Sequence, residues 1–143
     1  GISRAQAVAM GYEEEMEAAC NTLKAMHKRG IRVLPGGDYG FAWAPHGANA
    51  MDLQYFVKYL GFTPMEAIIA ATKYGGQIMM QGNELGEIKE GYLADVLLVD
   101  GDPVANISIL NDKSRILAVM KDGEFFREPE IRSSRQRLGL SAA

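Results

Sequence analysis

Asp38 closes the run Ile31-Arg32-Val33-Leu34-Pro35-Gly36-Gly37-Asp38, in which apolar and β-branched residues lead through two glycines to a carboxylate. A carboxylate at the carboxyl end of a buried strand is where α/β enzymes place their chemistry. It can ligate a cation, or take the proton of an attacking water. The plainer reading is a turn, because Gly-Gly-Asp also forms Asx-turns. The loop that follows carries Pro45-His46-Gly47, whose neutral imidazole could ligate a metal or contact a substrate carbonyl, or could simply face solvent. Tyr39, Phe41 and Trp43 lie between these two residues, suited either to walling a pocket for an apolar substrate part or to packing the loop.

Other reactive side chains read as structural. His27 stands beside Lys28 and Arg29 at a helix end, where the dipole favours a cation. Cys20 falls on an apolar helix stripe with no flanking base, as a small hydrophobe would rather than a nucleophile. Asp95 interrupts an apolar strand and looks catalytic at first glance. Gly36, Gly37 and Gly40 are not a phosphate loop, since no Gly-Lys-Ser or Gly-Lys-Thr follows and the dinucleotide spacing is missing.

The elements that must hold these residues can be read from periodicity. Tyr12 to Arg29 predicts an amphipathic helix with Met16, Ala19, Cys20, Leu23 and Met26 on one side. Glu13, Glu14 and Glu15 lie at its start and Gly30 at its stop. A strand to Leu34, a loop over 36–48 and a helix from about Asn49 to Leu60 follow, the last with Leu53, Phe56, Val57 and Leu60 on one face. Thr63-Pro64-Met65-Glu66 combines a capping box with proline at the first helical position. That helix should reach about Tyr74 and falter at Gly75-Gly76. Beyond Gly82 the pattern turns to strands: a buried one over Leu93–Val99, then Ile116–Met120 and Glu124–Arg127 around the hairpin signal Asp122-Gly123. The tail after Pro129 is charged.

The 143 residues suffice for one domain, and hydrophobic and charged shares of 48% and 23% are ordinary for a globular chain. A formal charge of −3 argues against a general nucleic-acid binder. No apolar run approaches the roughly 18–20 residues that span a bilayer. The lone Cys20 excludes an internal disulfide and fits a reducing, cytoplasmic setting. A single parallel strand with two helices cannot bury both sheet faces. The chain is therefore expected to be one part of a larger assembly, completed by further segments or by copies of itself.

The residues resemble the carboxyl-terminal portion of the amidohydrolase superfamily, in its imidazolonepropionase-like and prolidase-like branch. The matching segments are Arg32 to Asp38, His46-Gly47-Ala48-Asn49, Gly61-Phe62-Thr63-Pro64-Met65-Glu66-Ala67-Ile68 and Ala70-Ala71-Thr72. The most specific runs from Leu85-Gly86-Glu87-Ile88-Lys89 through Gly91-Tyr92-Leu93-Ala94-Asp95 to Asp100, with Asp102-Pro103 and Val119-Met120-Lys121-Asp122-Gly123 after it. The resemblance implies an α/β fold: the last strand and helices of a metal-dependent hydrolase (β/α)8 barrel over 1–82, part of an accessory β-sandwich over 83–128, and a tail over 129–143. It implies that Asp38 is both metal ligand and catalytic carboxylate, that His46 contacts substrate, that the cofactor is a divalent metal such as zinc, and that Asp95 is structural. Two departures stand out. Gly37 occupies a position where the family usually has Thr or Ser, and Lys73-Tyr74-Gly75-Gly76 replaces an asparagine-containing turn.

A count limits the function. The family's centre draws on a His-X-His pair and further histidines, whereas this chain has two histidines in all and no His-X-His. A catalytic zinc usually takes three protein ligands. The expected function is thus part of a metal-dependent amidohydrolase, acting on amides, cyclic amides or dipeptides and inactive as this chain alone. The alternative is a non-catalytic, self-associating module without metal. Neither nucleic acid nor membrane is expected as a partner.

Overall fold

The computed structural model describes residues 3–42 and 44–129. Helix α1 (Arg4–Ala9) opens it on a capping box in which Ser3 and Gln6 satisfy each other's backbone amides. The sequence carries that Ser-x-x-Gln signal, but the helix is too short to show apolar periodicity. Helix α2 (Tyr12–Lys28) starts with Glu13–Glu15 in its first turn and ends before Gly30, which adopts a φ of +74°. Cys20, Leu23 and Met26 pack against the core, but Met16 is 53% exposed and no α2 residue is fully buried. The apolar stripe is longer than the surface it covers.

The expected strand at Ile31–Leu34 does not form. Residues 31–39 are unpaired, Ile31 N–H reaching back to the Met26 carbonyl instead. The residue types suit a strand, but among the described residues no other segment lies alongside to complete a ladder. Val33 is nevertheless buried.

Helix α3 (Met51–Tyr55) runs straight into a single π-helical turn over Phe56–Leu60, stopped by Gly61 at a φ of +80°. Leu53, Phe56 and Leu60 are buried along the face the periodicity assigned. Helix α4 (Pro64–Ala71) has the expected capping box: the Thr63 hydroxyl accepts from the Glu66 amide while the Glu66 carboxylate accepts from Thr63 N–H at 2.8 Å. The break falls at Thr72 rather than at the two glycines, and α5 (Lys73–Ile78) passes through both. Gly76 is there for proximity. A Cβ on it would lie 2.6 Å from the Leu85 carbonyl oxygen, so the missing side chain lets the segment after α5 fold back onto the helix.

The sheet is antiparallel in the order β1-β2-β3, formed by Val96–Val99, Ile116–Lys121 and Glu124–Arg127. Strand β1 is shorter and more exposed than expected, with Leu97 and Leu98 about half accessible, because as an edge strand it is paired on one side only. The β2–β3 hairpin turns on Asp122 and Gly123, at φ of +51° and +80°, the type I′ geometry that dipeptide favours. Two 3₁₀ turns, Ile107–Asn111 and Lys113–Arg115, lead into β2. The core gathers Val33, Leu53, Phe56, Leu60, Phe62, Ala67, Ala70 and Ile107, so the segment before Asp38 is anchored against α3 and α4.

Candidate functional site

Asp38 lies near the end of the unpaired segment, five residues beyond the buried Val33. Arg32 ties the near end down: its guanidinium donates to Gln77 Oε1 at 2.7 Å and lies 5.1 Å from the centroid of the Tyr74 ring. Asp38 itself is exposed, and no hydrogen bond or ion pair holds its carboxylate among the described residues. Its neighbours are held instead, both by one side chain. Asp52, in the first turn of α3, accepts from Gly37 N–H through Oδ2 at 3.1 Å and from the Tyr39 hydroxyl through Oδ1 at 2.7 Å.

The Tyr39 ring folds back under Gly37. A Cβ at Gly37 would lie 2.6 Å from Tyr39 Cε2 and 3.1 Å from Asp52 Oδ2, which accounts for glycine where Thr or Ser was anticipated. Burial, with the hydrogen bond to Asp52 and its negative charge, pushes the Tyr39 hydroxyl up to about 12. Tyr39 stays protonated and donating across the working range of pH.

His46 is exposed and sits over Gly40: a Cβ there would lie 3.1 Å from the imidazole Nε2. The loop closes on itself through Gly40 N–H to the Ala44 carbonyl at 2.8 Å and an isolated bridge between Phe41 and Ala44. The loop therefore carries both Asp38 and His46, but no hydrogen bond or ion pair joins them. Tyr39 lines a cavity of about 250 Å³ with Pro35, Asn49 and Leu53. Phe41 is 45% exposed and Trp43 lies outside the described residues. A larger cavity of about 550 Å³ opens between α2 and α3, lined by Met16, Cys20, Gly36, Asp52, Tyr55 and Tyr59. Cys20 sits on its wall as an apolar surface.

Two residues read as structural behave so. His27 stacks on Phe62, and Asp95 accepts from Asp122 N–H at 2.8 Å, fixing the hairpin turn. The side chain that sequence reasoning missed is Asp52. Its position in a first helical turn suggests only a dipole partner, and nothing in the local pattern reveals that its two oxygens reach back 15 and 13 residues. These residues do not by themselves build a metal centre: among the described residues no three His, Cys, Asp or Glu side chains converge.

Comparison with known proteins gives these residues a context. The model of the amidohydrolase family matches residues 12–126. Ochratoxinase of Aspergillus niger is 34% identical over 105 residues, 73% of this chain and 21% of its own length. Its crystal structure superposes with a TM-score of 0.70 at 32% identity, covering 79% of this chain and 25% of that one. A Xaa-Pro dipeptidase with methionine bound in its active site gives 0.66 at 30% identity, over 76% and 25%. Imidazolonepropionase of Aeromonas hydrophila subsp. hydrophila is 25% identical over 100 residues, 70% of this chain and 24% of its own length. The chain thus spans about a fifth to a quarter of these relatives.

Proposed function

Since the chain belongs to the amidohydrolase family, we propose that it is part of a metal-dependent hydrolase of C–N bonds in amides, cyclic amides or dipeptides. One observation carries the reading. The family match spans residues 12–126, taking in the Asp38 segment, α3, α4 and nearly all of the sheet, and the relatives include a dipeptidase and an imidazolonepropionase. In this reading residues 1–82 contribute the last strand and helices of a (β/α)8 barrel, residues 83–128 part of a β-sandwich, and 129–143 a tail. Residues 31–34 take up strand geometry once flanking strands supply partners for their backbone amides and carbonyls.

Asp38 is the catalytic carboxylate and a metal ligand of that centre, and His46 contacts the substrate. The cofactor is a divalent metal, with zinc the expected ion, and the remaining donors come from segments outside these residues. The partners are a small amide or dipeptide and either the rest of the barrel or further copies of the chain; the setting is cytoplasmic.

A second reading, a self-associating module without metal, draws on exposed apolar side chains: Met80 and Ile88 are 91% exposed and Phe126 is 74%. The two are separated by grafting residues 12–126 into the Xaa-Pro dipeptidase in place of its matching segment. Zinc content and hydrolysis of Xaa-Pro dipeptides are then measured for the graft, its Asp38→Ala variant and the chain alone. Hydrolysis by the graft that Asp38→Ala abolishes supports the hydrolase. A folded, zinc-loaded graft that hydrolyses equally well with Asp38→Ala sinks it, and a folded graft that neither holds zinc nor hydrolyses, beside a chain that elutes as an oligomer, favours the module.

A further inference from the structure

Among the described residues Asp38 has no side-chain hydrogen bond or ion pair of its own, yet the residues on either side of it are bound to the same carboxylate. Gly37 N–H and the Tyr39 hydroxyl each take one oxygen of Asp52, at 3.1 and 2.7 Å. Asp52 is fixed in turn, because it stands on α3 beside Leu53, which is buried in the core. A carboxylate that receives one N–H and one O–H is a bidentate acceptor, and charge-assisted bonds of this kind hold geometry better than neutral ones. The absence of a Cβ at Gly37 belongs to the same device, since only glycine leaves room for the Tyr39 ring beneath it.

We propose that Asp52 is a positioning residue: it clamps Gly37 and Tyr39 to α3 and thereby sets the direction in which the Asp38 carboxylate leaves the backbone. The inference rests on Asp38 being the reactive carboxylate. It assigns Asp52 no contact with substrate. A carboxylate base gains from being held near its productive geometry, and a misplacement of about 1 Å can cost on the order of a hundredfold in rate. With no hydrogen bond to the Asp38 side chain among the described residues, holding the Gly37 backbone on one side of it and the Tyr39 side chain on the other is how this chain limits its travel.

The test is read on the 143-residue chain without turnover. Amide proton shifts, hydrogen-exchange protection and ¹⁵N heteronuclear NOEs of residues 37–39 are compared among the wild type, Asp52→Asn, Asp52→Glu and Tyr39→Phe. Asparagine keeps the volume of Asp52 but loses its charge and one acceptor. The expected result in Asp52→Asn is an upfield shift and lost protection at Gly37, with NOEs at Asp38 falling to loop values while α3 and α4 are unchanged. Partial recovery is expected in Asp52→Glu. A side chain that serves only packing would leave the Gly37 shift and the Asp38 NOE of Asp52→Asn as in the wild type, and that result overturns the proposal. Should Asp52→Asn fail to fold, Tyr39→Phe decides, since it removes one arm of the clamp alone: an unchanged Asp38 NOE overturns the proposal and a lowered one supports it. An Asp38→Ala graft that retains full hydrolysis removes the catalytic reading of Asp38, and leaves these measurements of the clamp standing as they are.

Discussion

The imidazole of His27 lies flat on the ring of Phe62, with centroids 3.7 Å apart and planes 16° from parallel. His27 is in the last turn of α2 and Phe62 immediately precedes the cap of α4, so the stack joins two helices that flank the Asp38 segment. Phe62 also packs against Phe56 at 4.9 Å and is only 7% exposed. Truncation by Phe62→Ala should therefore destabilise the chain by about 3–5 kcal/mol, as cavity-forming aromatic deletions do. Urea unfolding followed by circular dichroism checks this, and a loss of under about 1 kcal/mol would show the stack to be peripheral.

Local signals were legible in the sequence and non-local ones were not. The Thr63–Glu66 capping box, the Gly30 stop and the Asp122-Gly123 hairpin each depend on residues within four positions of one another, and all three form. The Ile31–Leu34 strand did not form because its residue types announce a strand while no other described segment lies alongside to pair with it. Asp52 was invisible for a related reason, its two bonds spanning 15 and 13 residues. The helix break moved from Gly75-Gly76 to Thr72 because Gly76 serves the approach of Leu85, a tertiary demand that overrides glycine's weak helix propensity.

Gly86 offers a comparison of steric and conformational cost. Its φ is +91°, and an added Cβ would run into the Thr72 carbonyl at the break between α4 and α5. Gly91 has a similar φ of +83° with nothing within 4 Å. Gly91→Ala should cost about 1–2 kcal/mol from the left-handed backbone alone. Gly86→Ala should cost distinctly more, since backbone cannot swing aside as a side chain can. Thermal melts of the two variants rank them, and equal melting temperatures would contradict the packing of this segment on α5.

Glu66 gives the chain an acid limb. The hydrogen bonds from the Thr63 backbone and hydroxyl hold its carboxyl below the usual 4.5, with His27 adding a smaller pull. A depressed carboxyl contributes stability that is present above its unfolded value and lost as pH falls through the folded one. The contribution should thus be intact at neutral pH and disappear below about pH 4.5. Glu66→Gln should therefore lower stability at pH 7 and make little difference at pH 3, whereas Thr63→Ala, which keeps the backbone N–H bond to Glu66, should cost about 1 kcal/mol at both. Urea unfolding at the two values checks this; a deficit of Glu66→Gln that is the same at pH 3 as at pH 7 would mean the cap acts without the Glu66 charge.

Tyr39 gives the opposite limb. Its hydroxyl is raised to about 12 by burial first and by the Asp52 bond and charge second. A group with a raised folded value contributes stability that is complete below its unfolded value near 10, and that is lost as pH climbs through the folded one. Among the six tyrosines, absorbance near 295 nm should show one late titration that Tyr39→Phe deletes and Asp52→Asn moves to lower pH. An unchanged curve in Asp52→Asn would break the link between the two residues.

Asp38→Asn separates stability from chemistry. The side chain is exposed and bears no hydrogen bond or ion pair among the described residues, so no folding mechanism is lost with its charge. The variant should keep the wild-type stability within about 0.5 kcal/mol, with an unchanged circular dichroism spectrum. In the dipeptidase graft the same substitution should abolish hydrolysis, because an amide cannot accept the proton that a carboxylate base must take. Both halves are needed for the conclusion. Loss of hydrolysis with full stability assigns the defect to the carboxylate, whereas a destabilised Asp38→Asn would reveal a structural role that the free, exposed side chain does not suggest.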